Sequence, residues 1–225
     1  MLHIPFENLD NFLGQQVILD MKRVYKKIIL HNRGGFCYEL NGLFYYLLKA
    51  LGYQVTIMSA RVHSISRGLG PEFDHMTLLV KLENDFYLAD VGYGISFKSP
   101  LIIKPDQLQM DFNSYYKIEK SVDDVFTVLS SNDSQSFIKE YDFDLTSRSL
   151  VEFIDMCEFH NRNKDSHLTK ERFITKAFKE GQVTLTDTKL TITSLGKTEK
   201  YAIRNLDEFK VKLFEYFKIR YRAIV

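Results

Sequence analysis

The sequence predicts an α+β protein, and three observations carry the prediction. The segment CYELNGLFYYLLKALG repeats apolar residues at three- and four-residue spacing, as an amphipathic helix does. The segments YQVTIMSARV, HMTLLVKL and DFYLADVGYG then switch to a period of two and are rich in β-branched and aromatic residues. The tail mixes both patterns. Helices first, strands in the middle and a mixed end make α+β the natural class.

Taken in order, the first third reads as helical. Its clearest helix sets Leu40, Leu43, Phe44, Leu47, Leu48 and Leu51 on one face, and Gly52 follows where a helix is expected to stop. Strand patterns continue through YKIEK, VFTVLS and SFIKEYDF to about residue 143. LTSRSLVEFIDMCEFH returns to helical spacing, QVTLTDTKLTITSLGKTEKYAI reads as a small meander, and LDEFKVKLFEYFKI closes the chain as an amphipathic helix.

A length of 225 residues suffices for a sizeable core. A formal net charge of +1 argues against a dedicated nucleic-acid binder, which needs a basic excess to displace counterions. Two cysteines, Cys37 and Cys157, fit a reducing compartment better than a secreted scaffold. The opening MLHIPFENLD has no signal-peptide pattern, and no stretch approaches a membrane span. A cytoplasmic protein without membrane partners is expected.

The stretch RGGFC, residues 33–37, puts a cysteine where a helix begins. A helix N-terminus favours the thiolate, and its amides can stabilise an oxyanion. Gly34 and Gly35 leave the approach to the sulfur open. Arg33 and Glu39 flank the thiol in sequence, so an ion pair between them is expected to pin the loop. The competing reading is a buried structural cysteine.

A nucleophilic cysteine needs a base, and the base an orienting group. His75 begins one strand-like segment and Asp90 ends the next. A hairpin with its turn at Glu83-Asn84 sets Leu82 opposite Asp85 and Asp90 opposite Thr77. His75 and Asp90 are then diagonal neighbours, roughly 7–8 Å apart at the backbone. A turn at Asn84-Asp85 keeps them on one face but farther apart, and a three-residue loop separates the faces. The competing reading is a surface or turn histidine and a turn carboxylate; against it, Asp90 follows an apolar run, a costly place for an unpartnered carboxylate.

Other candidates are weaker. Cys157, His160 and His167 contain a Cys-x-x-His spacing, but no second ligand pair follows, so no metal is expected. Phe153, Cys157 and His160 equally share one helix face. RGLGPEF, residues 67–73, lacks a nucleotide fingerprint and reads first as a plain interstrand loop; the other reading is a mobile loop whose backbone amides meet a phosphate or pantetheine group.

The segments IPFENLD, RGGFCYELNGLF, DHMTLLV, YLADVGYG and CEFHNRNKDSHLTKERFIT together resemble the arylamine N-acetyltransferases, also called N-hydroxyarylamine O-acetyltransferases. The resemblance runs over most of the chain in the family's order. It implies a helical domain over 1–54, a β-barrel over 55–145 and an α/β lid over 146–225, with a papain-like Cys-His-Asp core. It implies acetyl-CoA as co-substrate, an aromatic amine or hydrazine as acceptor, and a ping-pong route. Carried over, Cys37 is the acetyl-accepting nucleophile, His75 the general base and acid, and Asp90 the orienting carboxylate. Phe36, Tyr93, Ile95 and Phe97 fall where the family shapes its acceptor pocket, and Gly68, Gly70 and Asp74 are candidates for coenzyme A contact. Two departures stand out. Members carry a further helical stretch ahead of IPFENL, so a truncated or alternative start is expected here, and Leu168 stands where many have phenylalanine. The rival readings are another papain-like acyltransferase or peptidase, and a catalytically impaired coenzyme A-binding homologue.

Overall fold

Contacts in the computed structural model, which describes residues 2–94, 96–112 and 114–222, gather into two units. One joins the residues up to Leu40 with those from Ile154 on, and the other is Asn41–Phe153. The first opens with a short strand β1 (Phe6–Glu7), then helices α1 (Leu9–Phe12) and α2 (Met21–Tyr25). Asp20 caps α2 by accepting the Lys22 and Arg23 N–H groups at 2.9 and 3.0 Å, and α2 continues as a π-helical turn, Lys26–Leu30. Helix α3 (Cys37–Ala50) begins in this unit and continues into the next.

Gly52, at φ +89°, ends α3 as the sequence predicts, with the Gly52 and Tyr53 N–H groups returning to the Lys49 and Leu48 carbonyls. The predicted apolar face of α3 is only partly covered. Leu40 and Leu48 are buried, whereas Leu47 and Leu51 are 53% and 64% exposed. The stripe is wider than the surface that α3 packs against.

The second unit holds β2 (Gln54–Ser64), β3 (Gly68–Leu69), β4 (His75–Leu82), β5 (Asp85–Ala89), β6 (Leu101–Ile102), β7 (Gln109–Asp111), β8 (Ser114–Lys120), β9 (Phe126–Ser131) and β10 (Ile138–Phe143). They follow the order β6-β5-β4-β2-β10-β9-β8-β7, with β3 paired to β2. The two outer strands meet through one side chain. The Gln109 amide accepts the Ile102 N–H at 2.7 Å and donates to the Ile102 carbonyl at 2.9 Å, curling the sheet into a nearly closed barrel. Met58, Leu88, Ile118, Val128 and Tyr141 fill its interior. The β4–β5 register pairs Leu82 with Asp85, which places the turn at Glu83-Asn84.

The chain then returns to the first unit with α4 (Ile154–Arg162), β11 (Phe173–Phe178), β12 (Gly181–Thr186), β13 (Lys189–Ser194), β14 (Lys197–Ala202) and α5 (Leu206–Phe217). Its sheet runs β1-β11-β12-β13-β14, so β1 joins the start of the chain to the tail by pairing Phe6 with Thr175. Asn205 caps α5, which buries Phe209, Leu213 and Phe217 against Leu9, Ile174 and Leu185. Side-chain amides tie the two ends of the sequence together. Asn8 donates to the Leu168 and Glu171 carbonyls, each at 2.8 Å, and Asn161 donates to Asn11 Oδ1 at 2.7 Å. No described helix is long and apolar enough to cross a membrane.

Candidate active site

Cys37 opens α3 and is 6% exposed, directly after the buried ring of Phe36. The turn before it is sterically committed to glycine. A Cβ on Gly34 would run into the Pro5 carbonyl oxygen, and one on Gly35 would lie 2.5 Å from Glu39 Oε2. That Glu39 oxygen accepts the Phe36 N–H at 2.9 Å, a side chain at the third helical position reaching back to the residue before the helix. The Phe36 ring stacks on Phe6 with centroids 6.5 Å apart.

The expected Arg33–Glu39 pair does not form. Arg33 instead donates to both oxygens of Glu7, at 2.8 and 3.1 Å, and to Asp10 at 2.7 Å. Glu39 is held by Lys27, whose ammonium reaches its two oxygens at 2.8 and 3.1 Å and Asp10 at 2.7 Å. The physical reason is direction. Helical side chains lean toward the N-terminus, so Glu39 points back at Phe36, while the Gly35–Phe6 bridge sets Arg33 beside β1 and Glu7. Burial pushes the Glu39 carboxyl up, and Lys27 works against that; the surrounding carboxylates keep Lys27 charged despite its own burial.

In the second unit, His75 Nε2 and Asp90 Oδ2 lie 2.6 Å apart, both residues at most 4% exposed. Asp90 is surrounded by donors: Asn41 Nδ2 and the Gly92 N–H each at 2.9 Å on Oδ1, and the Tyr141 hydroxyl at 3.1 Å on Oδ2. Burial pushes the Asp90 carboxyl up, but His75, Asn41 and Gly92 more than offset this and hold it below the usual carboxylate range. The Tyr93 and Tyr141 rings flank the imidazole, each centroid 5.2 Å away. Asn41 was missed by sequence reasoning. Its amide also donates to the Met76 carbonyl at 2.6 Å and accepts the Val91 N–H at 2.9 Å. The available signal was its spacing: four residues after Cys37, it shares that residue's face of α3.

A family model described as N-acetyltransferase matches residues 1–224. The chain belongs to the arylamine N-acetyltransferase family. An arylamine N-acetyltransferase of Escherichia coli is 34% identical over 152 residues, 67% of this chain and 53% of that protein. The chain thus spans about half the length of that relative. Among solved structures, the arylamine N-acetyltransferase of Salmonella typhimurium matches with a TM-score of 0.89 at 27% identity, covering 99% of this chain and 81% of that one. The Mycobacterium marinum enzyme, solved in complex with CoA, matches with a TM-score of 0.88 at 26% identity, covering 96% and 81%.

The remaining residues that the arylamine N-acetyltransferase resemblance points to are scattered more widely. Tyr93 is half-buried, its hydroxyl donating to the Glu140 carbonyl at 3.0 Å. Phe97 is 1% exposed and packs inside the barrel against Tyr116. Ile95 lies outside the described residues. Gly68 is exposed at φ +73°, and a Cβ on Gly70 would strike the carboxylate of the buried Asp74. No cluster of three or more His, Cys, Asp or Glu side chains suited to a metal occurs among the described residues, and His160 Nδ1 is bonded to Ser166 Oγ at 2.8 Å. Cys157 is buried, and burial, with Glu39 and Cys37 nearby, pushes its thiol well up. A thiol held protonated in this way is a poor nucleophile candidate.

Proposed function

We propose that this chain transfers an acetyl group from acetyl-CoA to an aromatic amine, hydrazine or N-hydroxyarylamine, through an acetyl-cysteine on Cys37. The observation that carries the reading is the buried His75–Asp90 pair, 2.6 Å apart, held by an asparagine one turn beyond a cysteine on α3. Family membership and the CoA complex of the M. marinum relative support it.

In the first half-reaction His75 accepts the Cys37 thiol proton. The thiolate attacks the acetyl thioester carbonyl, and the charge developing on oxygen is met by amides at the start of α3. Collapse expels the CoA sulfur, which takes the proton from His75. In the second half the amine nitrogen attacks the acetyl-cysteine carbonyl, His75 removes its proton, and Cys37 leaves. Asp90 fixes the imidazole orientation and stabilises its charged form throughout.

In this reading 1–54 supplies the nucleophile, 55–145 the histidine and aspartate, and 146–225 a lid. Phe36, Tyr93, Ile95 and Phe97 shape the acceptor pocket, and Gly68, Gly70 and Asp74 face coenzyme A. The protein works in the cytoplasm and needs no metal. The test is incubation with acetyl-CoA followed by intact-mass and peptide mapping. An acetyl adduct on Cys37, absent from Cys37→Ser, is expected; a folded protein left unmodified refutes the proposal.

A further inference from the structure

We infer that Lys27 is a positioning residue for Cys37, acting through Glu39; the inference rests on the reading of Cys37 as nucleophile. The chain of contacts is short and buried. Lys27 Nζ grips both Glu39 oxygens, at 2.8 and 3.1 Å. Glu39 Oε2 holds the Phe36 N–H at 2.9 Å and fills the space that a Gly35 side chain would need. The two residues before the sulfur are thus clamped by one carboxylate, and that carboxylate is clamped by one ammonium. Glu39 is 2% exposed and Lys27 9%, so water competes little for either bond.

The clamp has a second consequence. A buried carboxylate needs an opposite charge to stay ionised and to keep accepting the Phe36 N–H, and Lys27 supplies it. Lys27 therefore fixes the turn through Glu39 and balances the carboxylate's charge. The other charged or titratable groups around the pair are Glu7, Asp10 and Arg33, Cys157 on α4, and Arg23, Lys26 and His31 along the adjoining cavity. A cavity of about 520 Å³, lined by Lys27, Glu39, Asp10, Val17, Arg23 and His31, lies beside the pair. It gives an arginine at position 27 room to replace the lysine.

The experiment measures the rate of Cys37 alkylation by iodoacetamide against pH, on the full chain with circular dichroism checked at each pH. Lys27→Met should lower the rate at neutral pH by about tenfold or more, because the turn that presents the sulfur is no longer held. Lys27→Arg should restore most of it. Lys26→Met removes a neighbouring exposed charge and should leave the profile unchanged. Should Lys27→Met fail to fold, Lys27→Met/Glu39→Gln leaves no unpaired charge at position 39 while Asp10 keeps Arg33, and its rate should also fall because the side chain at position 39 is no longer gripped. A folded Lys27→Met, or a folded double variant, with the wild-type profile overturns the inference, as does an equal loss of rate in Lys26→Met. Acetylation of wild-type Cys37 is scored separately, so loss of that signal counts against the nucleophile and not against the clamp.

Discussion

The Asn41 amide donates to Asp90 Oδ1 at 2.9 Å while its own carbonyl accepts the Val91 N–H at 2.9 Å. One side chain on α3 therefore fixes both the carboxylate and the backbone just beyond it. Asn41→Ala leaves the Val91 N–H and Met76 carbonyl without this partner and costs roughly 1–3 kcal/mol in a urea melt. Acetyl transfer at saturating substrate should fall by about tenfold or more, since Asp90 is freed to turn. A variant with unchanged kcat would contradict the positioning role.

Asp90 also sets an acid limit. Its carboxyl is held below the ordinary value of 3.8 in the fold. Above that value it is ionised folded and unfolded, and its stabilising contribution is fully present. As pH falls through 3.8 the unfolded chain binds the proton first, and stability is lost toward the lower folded value. Urea melts of wild type and Asp90→Asn between about pH 5 and pH 3 should show the steeper loss in wild type. Glu39 is shifted the opposite way, so the comparison with Asp90→Asn, rather than the wild-type slope alone, isolates Asp90.

Gly35→Ala drives a methyl group against the Glu39 carboxylate, and Gly34→Ala drives one into the Pro5 carbonyl. Each should cost about 1–3 kcal/mol, as overpacking does elsewhere. Gly35→Ala should also slow Cys37 alkylation, because the carboxylate that moves aside is the one holding Phe36. An alanine at either site with wild-type melting would show the turn to be looser than its geometry.

Arg33→Ala removes the shared partner of Glu7 and Asp10, both nearly out of contact with water. Breaking a buried ion pair by deleting one side costs about 3–5 kcal/mol. Thermal melts should show Arg33→Ala as far less stable than the surface variant Arg162→Ala, whose Glu158 partner is more than half exposed.

Much of the architecture was legible because it rests on local pattern. Of the three hairpin turns that the sequence allows, the one at Glu83-Asn84 forms, and the period of two then sets which side chains share a face. Gly52 announced the end of α3 by its conformational freedom. What escaped was non-local. FITKAF, short and flanked by charged residues, gave no clear strand signal, yet β11 is what ties β1 to the tail. Leu47 and Leu51 fit a buried stripe by spacing and are exposed because burial depends on what lies opposite. The ion network defeated sequence proximity: Arg33 lies six residues from Glu39 but pairs across twenty-six with Glu7. Asn41 was hidden because an asparagine within a helix declares no partner until the β5 end is brought beside it.

In the proposed mechanism Cys37 carries the acetyl group between two substrates. The direct measurement is a single-turnover chase. Protein loaded from isotopically labelled acetyl-CoA is freed of nucleotide, then mixed with an aromatic amine, and label is followed on Cys37 and on the amine. Label should leave Cys37 and appear on nitrogen in equal amount, with no CoA present. Label that remains on Cys37 against every arylamine and arylhydrazine tried, or that never reaches Cys37 in the folded protein, would contradict that mechanism.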